Sequence, residues 1–148
     1  MKNSKSSNRK IFRLDSVVLN SFNQEIDSIF VFNDATTRIK NDLKTFETKL
    51  ALATKSNEFI NTNLALELFN ISKILVMLIE ANPTEEYVPY ALAAISYLMK
   101  ANDANDDFEA FDGFEDDKTV IQSILSEFNL QDYINTELKK LTSKGVSA

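Results

Sequence analysis

From Val17 to Leu141 the apolar residues recur at steps of three and four, the spacing that lines up side chains along one side of an α-helix. The β-like run Phe30-Val31-Phe32 is too short to build a sheet. A first helix is expected from a cap at Asp15 or Ser16 to about Phe32, with Val18, Phe22, Ile26, Ile29 and Phe30 on one side. After Asn33 and Asp34, the positions Ile39, Leu43, Phe46, Leu50 and Ala53 step by 4, 3, 4 and 3, a heptad-like seam that needs a partner. So short a seam is read as an intramolecular bundle contact ahead of a coiled-coil dimer. A third helix, roughly Asn61 to Glu80, is apolar over a wide arc that includes Leu64, Leu66, Leu68, Phe69, Ile71 and Leu75, and so is expected at the centre of the bundle.

Asn82-Pro83 ends that helix, and Pro89 opens a fourth through about Lys100, kept thin by Ala91, Ala93 and Ala94. A fifth is expected from Asp116 to Phe128, carrying Val120, Ile121, Ile124 and Leu125. Asn129 is read as the cap of a sixth, with Tyr133, Ile134, Leu138 and Leu141 inward, Lys139, Lys140 and Lys144 near its negative end and Gly145 as its stop. Two Gly and two Pro in 148 residues leave little to interrupt helices. The expected fold is therefore all-α, a single-domain bundle of five or six helices with an acidic loop between helices four and five. Its domain is placed at residues 14–143, between a disordered basic tail at 1–13 and a frayed C-terminus at 144–148.

Composition narrows the chemistry. The chain has no cysteine and no histidine, which removes thiol nucleophiles, Cys-based metal sites, the commonest general base and the commonest transition-metal ligand. The net charge of −6 hides an asymmetry: Lys2, Lys5, Arg9, Lys10 and Arg13 stand in an acid-free start, so the rest of the chain carries −11. So acidic a body repels phosphate backbones, and nucleic-acid binding is disfavoured. The Ser/Asn/Lys-rich tail has no apolar run of a secretory signal. The most apolar window, Leu64 to Ala81, is broken by Glu67, Asn70, Ser72, Lys73 and Glu80, which disfavours a membrane span and gives a cytoplasmic expectation.

The charge concentrates in one place. Eight of the fifteen residues from Asp103 to Asp117 are carboxylates and none is basic. Asp116 and Asp117, before an apolar helical run, read as capping residues. An alternative is a hard-cation site, in which Asp103, Asp107, Asp116 and Asp117 converge on Mg²⁺ or Ca²⁺ through oxygen ligands, and which as a hydrolase would be a carboxylate-bound metal enzyme. An EF-hand is excluded, because Phe108 stands where its glycine belongs and Phe114 where its bidentate glutamate belongs. Phe108, Phe111 and Phe114, spaced by three, either anchor the loop to the core or form an apolar strip flanked by Asp106, Glu109 and Asp112. Such a strip would suit a basic amphipathic protein partner.

Tyr97-Leu98, Asp103, Asp107-Phe108, Gly113-Phe114, Asp116-Asp117 and Val120-Ile121 fall without a gap on a known pattern. The segment 87–125 resembles the YkvA-like domain of unknown function, a bacterial family with an Ala-rich helix ending in Tyr-Leu, an Asp-rich loop and a Gly-Tyr-x-Asp-Asp turn into the next helix. The resemblance implies a helix–loop–helix unit. Ala101, Asp106 and Ala110 replace the family's loop prolines, which implies a more polar, less rigid loop. The residues together point to a non-enzymatic interaction or regulatory protein, homo-oligomeric assembly being compatible with it, rather than to an enzyme.

Overall fold

The computed structural model describes residues 12–31, 34–56, 62–105 and 115–147, with side chains over 12–31, 34–52, 63–99 and 115–141. Within these the chain forms six helices and no strand: α1 Ser16–Val31, α2 Ala35–Ser56, α3 Thr62–Ala81, α4 Val88–Asn105, α5 Glu115–Glu127 and α6 Gln131–Ser147. The expected all-α bundle is the observed one. The α1 stripe buries Val18, Phe22, Ile26 and Ile29, and the α2 seam buries Ile39, Leu43, Phe46 and Leu50. That seam finds its partners within the chain, packing on α3 and α4, with the Phe46 and Phe69 rings 6.0 Å apart.

The centre of the bundle is α4 rather than α3. Every residue from Tyr90 to Ser96 is buried, so over this stretch the helix has no solvent side, whereas α3 exposes Leu66, Lys73 and Met77. Ala91, Ala93 and Ala94 are the reason. Methyl side chains let α1, α2, α3 and α5 all pack against α4, and hydropathy alone ranks such a helix below one rich in Leu and Ile.

Aromatic rings close the α1–α4–α5 interface in a connected run. Phe22 meets Tyr97 and Phe12 edge-on, Phe12 meets Tyr90, and Tyr90 meets Phe30 and Phe128, with centroids 5.5 to 6.4 Å apart. Such geometry favours the positive ring edge over the negative face. Phe12, assigned to the tail by its sequence neighbours, is buried in this cluster, so the ordered domain begins before residue 14. The rest of the tail, residues 1–11, lies outside the described residues.

Helix ends account for the other departures. Asn82 closes α3, its backbone N–H and its side-chain amide both donating to the Leu78 carbonyl at 2.9 and 3.2 Å. The α5–α6 joint differs from expectation: Asn129 ends α5 instead of capping α6. It holds a left-handed φ of 57°. Leu130 N–H donates to the Leu125 carbonyl at 2.8 Å and Asn129 N–H to the Ser126 carbonyl at 3.4 Å, the paired bonds of a Schellman motif. Leu130 and Leu125 are both buried, giving the apolar contact that accompanies this turn. In α6, Ile134 is buried and Leu138 partly so, but Tyr133 and Leu141, expected inward, are largely exposed. The helix also runs through Gly145 to Ser147, beyond its expected stop.

Candidate functional site

The acidic segment joins two packed helices, α4 and α5. Asp103 lies in the last turn of α4, its side chain outside the described set. Asp106, Asp107, Phe108, Glu109, Phe111, Asp112 and Phe114 all lie outside the described residues. On the far side Glu115, Asp116 and Asp117 make the first turn of α5. Because the helix starts at Glu115, Asp116 sits inside that turn and is not the cap. The three carboxylates still face the positive end of the helix dipole and its unbonded N–H groups.

Asp116 and Asp117 have different surroundings. Consecutive residues on a helix point about 100° apart, and here Asp116 is exposed while Asp117 is only 1% accessible. The two acids grouped by sequence as prospective cation ligands therefore point apart, one into solvent and one into the bundle. Among the described residues no three acidic side chains are gathered closely enough to hold a metal ion.

A second polar feature was not foreseen. Glu25 on α1 and Ser96 on α4 are 7% and 4% accessible, and the serine hydroxyl donates to Glu25 Oε1 at 2.7 Å. A charge-assisted bond of this kind stabilises a buried carboxylate more than a neutral one would. Glu25 could have been found from its spacing, since it falls between Phe22 and Ile29 on the buried stripe of α1. Its partner could not. Ser96 is 71 residues away and sits in an Ala-rich stretch without polar punctuation.

Tyr87, just before α4, packs its ring against Phe128 at 6.3 Å. Burial raises its phenol above the ordinary value of 10.0, with the negative charge of Glu85 and the neighbouring Tyr133 acting in the same direction. No helix among the described residues is long and apolar enough to cross a membrane. Compared with known proteins, the chain matches no protein-family model, no curated protein and no solved structure.

Proposed function

We propose that the protein is a non-enzymatic, cytoplasmic interaction module whose acidic, phenylalanine-bearing segment 103–117 captures a basic protein partner. The observation that carries this reading is the eight carboxylates in fifteen residues, without one base, set between two helices of the core. Exposed Glu115 and Asp116 extend the negative surface onto α5. With Tyr97-Leu98 before it and Val120-Ile121 after it, the same stretch is proposed to be a divergent YkvA-like unit.

A Lys/Leu amphipathic peptide, titrated at low and high salt, tests the proposal. Neutralising Asp106, Glu109 and Asp112 together is expected to slow association at low salt, because long-range attraction sets the encounter rate. Phe111→Ala is expected to speed dissociation. Both variants should keep the parent's urea midpoint. Loss of helical stability in both, with equal peptide binding by all three proteins, would show the segment to be structural and end this reading.

A further inference from the structure

Among the described residues, the outer side of the α2–α3 hairpin carries an open groove and is not strongly acidic. The groove, of about 230 Å³, is floored by Leu43, Phe69 and Val76. Beside it α3 turns two large apolar side chains to solvent, Met77 at 66% and Leu66 at 48% accessible. Both belong to one stripe, Leu66, Asn70, Lys73 and Met77, spaced i, i+4, i+7 and i+11 within roughly 60° of arc at 3.6 residues per turn. From either end this stripe reads apolar, polar, polar, apolar. A two-fold axis between Asn70 and Lys73 therefore lays Leu66 against Met77 of a second copy, and Asn70 against its Lys73.

Charge selects the same occupant and its direction. Of the five charged residues lining the groove, Lys40, Lys44 and Lys73 oppose Glu47 and Glu80, which makes this face near neutral on a chain of net charge −6. Lys40 and Glu80 are paired at 2.7 Å, and the Lys73 ammonium stands 5.1 Å from the centre of the Phe69 ring. Two copies of an acidic protein repel wherever acidic faces meet, and this face avoids that cost. A parallel pairing would set Lys73 against its own copy; the antiparallel one sets it against an amide. Polar residues in the middle of an apolar seam are a known way of fixing register.

We propose that this face is a self-association surface on which a second copy docks, α3 antiparallel to α3, with Leu66 and Met77 as reciprocal anchors. Such an isologous contact closes as a dimer. Resting on one helix pair, it is small beside standard interfaces of about 800 Å² per partner, so the dimer is reversible. Sedimentation of the full chain is expected to show the mass rise from monomer to dimer with concentration. Met77→Lys should hold it at monomer and, at concentrations where the parent is itself monomeric, leave the urea midpoint unchanged, since Met77 is exposed within a single copy. Asn70→Asp, placed opposite Lys73 of the second copy, should lower the dissociation constant several-fold, and Asn70→Lys should raise it.

The chain has no cysteine of its own, so orientation can be read directly. An equimolar mixture of Leu66→Cys and Met77→Cys proteins is expected to form a mixed disulfide under mild oxidation. Each variant alone should form little, because antiparallel pairing separates like positions by roughly 16 Å along the helix axis. A monomeric mass at every concentration, a Met77→Lys variant that dimerises like the parent, or Leu66→Cys pairing with itself as readily as with Met77→Cys would overturn the proposal.

Discussion

At the scale of single residues, two buried serines on neighbouring helices should respond in opposite directions to the same substitution. Ser96 donates to the Glu25 carboxylate, so Ser96→Ala removes a bond to an acidic group and is expected to cost about 1.5–3 kcal/mol. Ser72 on α3 is fully buried and its hydroxyl has no hydrogen-bond partner among the described residues. Ser72→Ala is therefore expected to raise stability by about 1 kcal/mol, since an unmade bond costs a buried hydroxyl its hydration. Urea midpoints at unchanged slope measure both, and a loss in both variants would refute the contrast. Tyr87 gives a pH signature. Its folded value lies above the ordinary 10.0, so the folded state holds the phenol proton more tightly than the unfolded chain does. The associated stability is complete below pH 10 and is lost as pH climbs through the raised value. In a Tyr87→Phe variant the fall in stability above pH 10 should be shallower, provided that the phenol is the source.

At the scale of elements, what the sequence made legible depended on whether a stripe had one side or two. One-sided helices were readable: the steps of three and four in α1, α2 and α5 locate their buried residues almost one for one. The two-sided helix was not, because alanine carries little hydropathy and its burial depends on neighbours brought in from α1, α2, α3 and α5. Ala94→Leu, tolerable on a helix with a free side, is accordingly expected to cost about 1–3 kcal/mol here by overpacking. The α5–α6 joint was misread for a related reason. Asn suits both a helix start and a left-handed helix end, and only the bonds from Leu130 and Asn129 back into α5 decide between them. Asn129→Gly should be near neutral, whereas Asn129→Val should lose about 1–2 kcal/mol to the clash of a branched side chain at positive φ. Thermal melts of both variants check this.

At the scale of the whole molecule, the acidic segment was legible as a chemical feature, because charge density needs no knowledge of the fold. The different fates of Asp116 and Asp117 were not legible, since a shared first turn says nothing about which face meets the bundle. The Glu25–Ser96 bond and the groove beside α3 depend in the same way on surfaces that only packing creates. One consequence of the aromatic run is optical. The chain has no tryptophan and four tyrosines, and three of these, Tyr87, Tyr90 and Tyr97, make ring contacts in the α1–α4–α5 interface. The tyrosine band of the near-ultraviolet dichroism is thus chiefly a report on one seam, while far-ultraviolet dichroism sums over all the helices. Followed together through a denaturant titration, the two signals tell whether the hairpin of α2 and α3 melts with that seam or separately from it.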